Sequence, residues 1–144
     1  MKSRIYTDKH AVGGLKEKLP VIEVFPNQYP NYEIKVEMPE FTSICPRTGL
    51  PDFGVISIRY IPKDWVAELK ALKLYLNGYR NMGIFQENAT NRILRDFTAA
   101  VGPVFCEVVG DFAARGGLTT KVTARYGQEP SLGIHNGQLL SKKS

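Results

Sequence analysis

A chain of 144 residues, 43% of them hydrophobic, buries one ordinary core and is too short for two. Its net charge of +5 arises in the terminal segments: residues 1–20 carry +3 and residues 131–144 carry +2, while 21–130 balance 12 basic against 12 acidic side chains, so the centre offers no broad surface to a phosphate backbone and no direct nucleic-acid partner is expected. No apolar run reaches the ~20 residues of a membrane span and the start lacks the apolar stretch of a secretory signal, which predicts a cytoplasmic protein with no membrane partner and with Cys45 and Cys106 as reduced thiols.

Residues 1–20 mix charge with glycine and show no sustained periodicity, and residues 128–144 have the same character, so both are expected to be flexible basic arms around one domain with a folded core over about 21–127. From Tyr32 the pattern alternates, with Ile34, Val36 and Met38 on one face and Glu33, Lys35 and Glu37 on the other. This predicts a half-buried strand running irregularly to about Ile44. The segment CPRTGLPD (45–52) holds two prolines and a glycine, which predicts a fixed turn leading into a second strand, GVISIRYIP (54–62). Asp64 is the expected N-cap of a helix over WVAELKALKLYLNGYRN (65–81), with Val66, Leu69, Leu72 and Leu76 at helical spacing. A second helix is predicted over 85–101, burying Phe85, Ile93, Leu94, Phe97 and Val101, before Gly102-Pro103 ends it. Two further strands, VFCEVVGDFA (104–113) and LTTKVTARY (118–126), flank a turn at Arg115-Gly116-Gly117. The order strand, strand, helix, helix, strand, strand predicts an α+β fold: a four-stranded antiparallel sheet with both helices on one face. Its uncovered edges favour pairing between copies, hence a homo-oligomer.

The histidines are His10 and His135, both in the expected arms, so a nucleophile in the core has to be activated without an imidazole and a clustered metal site is not expected. Cys45 stands at the mouth of the proline-bracketed turn and Asp52 at its far end. A thiolate there would be a strong nucleophile and the carboxyl a proton donor or acceptor, although a buried structural cysteine and a turn-capping aspartate account for the same spacing. Lys70 and Lys73 share one helix face with Glu68 on the preceding turn, which suits a phosphate or a solvated face equally. Glu87 opens the second helix, where the macrodipole favours a carboxylate, and it also has the acceptor pair that the N–H edge of a guanine-like ring requires. Arg115, in its glycine-rich turn, would hold a phosphate or orient the turn.

Four segments, FTSICPRTGLPDFG (41–54), ELKALKLYLNGYRN (68–81), GIFQENATNRILRDF (83–97) and FAARGGLTT (112–120), occur in the order and spacing of one family. Together they resemble the single-module NADPH-dependent 7-cyano-7-deazaguanine reductases of the QueF type, over about residues 32–126. The resemblance implies a tunnelling fold, in which subunits join their sheets into an oligomeric barrel with active sites between neighbours. It implies reduction of the nitrile of 7-cyano-7-deazaguanine to 7-aminomethyl-7-deazaguanine in queuosine tRNA-modification biosynthesis, with NADPH as cofactor. Cys45 would attack the nitrile carbon to give a covalent thioimide, and Asp52 would deliver the proton. Ala67, Glu68, Leu69, Gln86 and Glu87 match substrate-binding positions; Lys70, Lys73 and Arg115 match positions associated with NADPH. No metal is implied. Gln86 departs from the family, which usually has histidine there; a glutamine hydrogen-bonds but does not carry a proton near neutral pH. The alternatives are an amidine-forming relative acting on the nitrile base in tRNA, which has no need of Lys70 and Lys73, and a non-catalytic purine- or RNA-binding module.

Overall fold

A computed structural model describes residues 7–130, 132–135 and 138–141. Its elements in chain order are α1 (Asp8–Ala11), β1 (Val24–Pro26), β2 (Ile34–Ile44), β3 (Pro51–Ile61), β4 (Trp65–Ala67), α2 (Leu69–Asn77), α3 (Gln86–Val101), β5 (Phe105–Arg115), β6 (Leu118–Tyr126), β7 (Leu132–His135) and β8 (Gln138–Ser141). The main sheet is antiparallel in the order β2-β3-β5-β6, and β1-β4 and β7-β8 form two small antiparallel pairs. This is the expected α+β arrangement, a four-stranded antiparallel sheet with α2 and α3 on one face.

The period-two alternation decides which face carries the helices. Along β3, Asp52, Gly54, Ile56, Ile58 and Tyr60 are buried, and along β5 so are Cys106, Val108, Gly110 and Phe112. These meet Leu72, Tyr75 and Leu76 of α2 and Ile93 and Phe97 of α3 in one core, where Phe97 stands edge-on to Tyr60 with ring centroids 4.7 Å apart. The opposite face is polar. Arg59 bridges Glu33 at 2.7 Å and Glu107 at 3.5 Å, and Arg125 bonds Glu107 at 2.8 Å. Gly54 has no room for a side chain, because a Cβ there would lie 2.9 Å from the Asp111 carbonyl and 2.8 Å from the Phe112 ring.

Four boundaries differ from the pattern-based expectation. The first helix begins at Leu69, four residues later than predicted, because Trp65–Ala67 pair with Val24–Pro26 as a strand. The cap is Glu68, whose carboxylate accepts from Lys70 N at 2.9 Å and Ala71 N at 2.7 Å; Asp64 instead turns its backbone carbonyl to Asn27 N. That register also leaves Leu69 64% exposed rather than buried. The helix ends at Asn77, before a run of turns through Met82. At the hairpin, β3 starts at Pro51, inside the segment expected to be turn, since a proline is tolerated as the first residue of a strand. Phe85 precedes α3 as its cap residue and is only half-buried.

The expected arms lie partly outside the described residues: Lys2, Arg4, Lys142 and Lys143 fall there, with the rest of 1–6, 131, 136–137 and 142–144. From residue 7 the first arm makes contact with the fold. Leu15 and Leu19 pack against the core, and buried Arg92 of α3 donates to the carbonyls of Gly14 and Glu17. In the second arm Glu129 pairs with Arg59 at 2.6 Å. No helix among the described residues is long and apolar enough to cross a membrane.

Candidate active site

Strands β2 and β3 end at one corner of the sheet, joined by the turn 45–50. Cys45 N donates to Leu50 O and Gly49 N to Cys45 O, each at 2.9 Å, with Gly49 in the left-handed region at φ 71°. On the other side of β2, Ile44 N bonds Met82 O and Ile84 N bonds Ile44 O, both at 2.9 Å. This clamp brings the start of α3 beside Cys45. The end of β5 closes the third side: Gly54 pairs with Phe112, so the chain runs on to place Arg115 next to Asp52.

The result is a cavity of about 390 Å³ lined by Cys45, Thr48, Asp52, Gln86, Glu87 and Arg115, with Phe85 as an apolar wall. Cys45, Asp52, Gln86, Glu87 and Arg115, all singled out from sequence, are therefore brought together from three of the four segments. Cys45 is 7% exposed and Asp52 3%, whereas Glu87 is exposed in the first turn of α3. Arg115 Nη1 donates to Asp52 Oδ1, and the same guanidinium favours the ionised form of Cys45. Burial is the largest single influence on Cys45 and pushes its thiol up. The Thr48 hydroxyl, the backbone amides of Thr48 and Arg47, and Arg115 together outweigh it, so the thiol titrates below its ordinary value. The turn thus lowers the thiol without an imidazole. Cys106 is the contrast: burial, then the charge of Glu107, pushes it up to about 12.

Ala67, Glu68, Leu69, Lys70 and Lys73 do not line this cavity. Ala67 N is bonded to Tyr60 OH at 3.1 Å, and Tyr60 stands eight residues beyond Asp52 on β3, roughly 27 Å at about 3.4 Å per residue. Glu68 spends its carboxylate on the helix cap, and Lys70 and Lys73 lie exposed on α2. Two site features escaped the sequence reading. Thr48 sits inside the CPRTG turn, where a hydroxyl three residues after a cysteine was the available signal. Ser43, two residues before Cys45, is fully buried with a hydroxyl that makes no hydrogen bond among the described residues, and nothing in its spacing announced that. Among the described residues no three His, Cys, Asp or Glu side chains gather as a metal site.

The family model for QueF-like proteins matches residues 51–131. The NADPH-dependent 7-cyano-7-deazaguanine reductase of Elusimicrobium minutum (strain Pei191) is 54% identical over 122 residues, spanning 84% of this chain and 92% of that protein. The enzyme of the same description from Chloroherpeton thalassium (strain ATCC 35110 / GB-78) is 53% identical over 114 residues, 78% of this chain and 98% of its own length. The crystal structure of the archaeosine synthase QueF-Like in the apo form superposes with a TM-score of 0.65 over 71% of this chain and all of that one; at 24% identity the likeness concerns the fold. Matched by the family model over more than half of its length and by relatives 53–54% identical over most of it, this chain belongs to the QueF-like protein family.

Proposed function

We propose that this protein is an NADPH-dependent 7-cyano-7-deazaguanine reductase, an oxidoreductase that converts the nitrile to the aminomethyl base for queuosine biosynthesis. The observation that carries the chemistry is the shared cavity of Cys45 and Asp52, with a thiol held below its ordinary value at the one and a buried carboxyl at the other. Cys45 attacks the nitrile carbon: a C–S bond forms, one C≡N π bond breaks, and Asp52 gives its proton to nitrogen, leaving a covalent thioimide. A protonated C=N carbon is a far better hydride acceptor than a nitrile, which is what the covalent step achieves. Glu87, exposed at the same cavity, accepts from the N–H edge of the base, and Gln86 beside it hydrogen-bonds the base without relaying a proton.

The donor set fits an anionic dinucleotide: Arg115 at the cavity, and Lys70 and Lys73 one turn apart on the exposed face of α2. These residues would hold NADPH, whose chemistry when bound would be to supply hydride. Because Ala67–Lys73 lie away from the Cys45 cavity of their own chain, we assign their contribution to the cavity of a neighbouring copy. The working enzyme is then a cytoplasmic homo-oligomer, its sheets joined into a barrel with sites between subunits. Purified protein given 7-cyano-7-deazaguanine and NADPH should oxidise two NADPH per base, and Cys45→Ala should abolish both turnover and the protein-bound adduct seen by mass spectrometry. An adduct that is aminated by ammonia while NADPH stays unoxidised would instead favour the amidine-forming reading.

A further inference from the structure

Ser43 is fully buried, and among the described residues its Oγ is the one buried side-chain polar atom without a hydrogen bond. An unmet buried hydroxyl costs stability, and alanine would fill nearly the same space without it. Packing alone therefore does not account for a serine here. In the register of β2 and β3, Ser43 stands directly opposite Asp52, and Phe41, Ser43 and Cys45 share the helix-covered face with it. Residues directly opposite in an antiparallel pair hold their Cβ atoms about 4.5–5.5 Å apart, which puts the hydroxyl within reach of the carboxyl group. Arg115 occupies Oδ1 of Asp52, and no hydrogen bond from the described residues reaches Oδ2.

We propose that Ser43 is a positioning residue for Asp52, its hydroxyl engaging the carboxyl oxygen that Arg115 leaves open and orienting the acid as its proton passes to the substrate nitrogen. This rests on the function proposed above. The two neighbours of Asp52 have different chemical preferences. A guanidinium has donors alone and suits the carboxylate, whereas a hydroxyl donates to a carboxylate and also accepts from a carboxylic acid. A group that changes protonation state during turnover needs a partner that works in both states, and Ser43 is placed to be it.

The test follows formation of the covalent adduct between the full-length protein and 7-cyano-7-deazaguanine, without NADPH, across acid to alkaline pH, for wild type, Ser43→Ala and Ser43→Gly. Both variants should form adduct about tenfold more slowly, a part of the roughly 10²–10⁴-fold that general acid catalysis supplies, with an altered pH profile. Iodoacetamide should alkylate Cys45 at the wild-type rate in both, and the melting temperature of Ser43→Ala should equal or exceed that of wild type. A wild-type adduct rate and pH profile in Ser43→Ala would overturn the inference and leave the proposed function standing. A parallel loss of iodoacetamide reactivity would overturn it too, because the hydroxyl would then serve Cys45; so would a slow Ser43→Gly beside a normal Ser43→Ala, which would mark a packing effect. Failure of the wild type itself to form adduct would strike at the proposed function.

Discussion

Thr48 makes the largest contribution that lowers the Cys45 thiol, so Thr48→Val isolates the activating hydrogen bond. The replacement keeps the branched shape and leaves the backbone amides of Arg47 and Thr48 in place. A hydrogen bond to a charged group is worth about 1.5–3 kcal/mol when enclosed; Thr48 is exposed, so about 1 kcal/mol is the expected loss, lowering the thiolate fraction near neutral pH about fivefold. The remaining thiolate is more basic and attacks faster, with a Brønsted coefficient of about 0.4–0.5, which cuts the net fall in rate to about two- to threefold. The assay is iodoacetamide alkylation followed by peptide mass spectrometry as a function of pH. The variant's curve should lie below wild type near neutrality and cross above it at alkaline pH, where both thiols are fully ionised. Thr48→Ser, which retains the hydroxyl, should follow wild type. Because Thr48 Oγ1 also accepts from Leu50 N at 3.2 Å, a loosened turn would change access to the sulfur instead. Curves for Thr48→Val that are displaced equally at every pH, or that match wild type, would refute this account of activation.

Phe97→Ala removes a fully buried ring packed against Tyr60 and should destabilise the fold by about 3–5 kcal/mol in urea unfolding. The Glu68 carboxyl is held below its usual range by the N–H groups of Ala71 and then Lys70, so its stabilisation is present above the unfolded value near 4.5 and is lost as pH falls through the lower folded value. The melting-temperature gap between wild type and Glu68→Gln should accordingly be open at neutral pH and close on acidification; a gap independent of pH would refute the capping role. Arg92→Met frees the carbonyls of Gly14 and Glu17, and tryptic cleavage after Lys16 and Lys18 should accelerate at least tenfold, taking one charge-assisted bond at about 1.5 kcal/mol.

The parts of this molecule visible in the sequence are those whose physics is local. Alternation through Ile34, Val36 and Met38 and through Ile56, Ile58 and Tyr60 marks strands buried on one side, and the spacing Leu72, Leu76 marks a helix face. The turn 45–50 could be placed because proline and glycine punctuate it, and with it the proximity of Cys45 to Asp52. What was hidden depends on partners distant in the chain. Trp65-Val66-Ala67 fits a helix by pattern and becomes a strand because Val24–Pro26 lies alongside, which moves the cap from Asp64 to Glu68. Leu15 and Leu19 look like stray apolar residues among charges until Arg92, more than 70 residues away, fastens the backbone between them. Ser43 and Arg115 acquire meaning only once the register sets them both against Asp52.

The two cysteines show how the sheet divides chemistry from packing. Cys106 lies on an inner strand, paired with Tyr60 on one side and Tyr126 on the other and covered by the helices, where the surroundings offer apolar contacts and a glutamate next in sequence, and its thiol is driven toward the neutral form. Cys45 is almost as poorly exposed, yet it stands where β2 gives way to the turn, and a turn has backbone N–H groups left over that a strand interior has spent on its ladder. Desolvation acts on both sulfurs in the same direction; what differs is whether unspent donors lie close enough to overcome it. A thiol that is lowered with no histidine lining its cavity therefore belongs at a strand end. The corner of the sheet meets that requirement together with two others: Asp52 on the returning strand, and Arg115 at the end of the third.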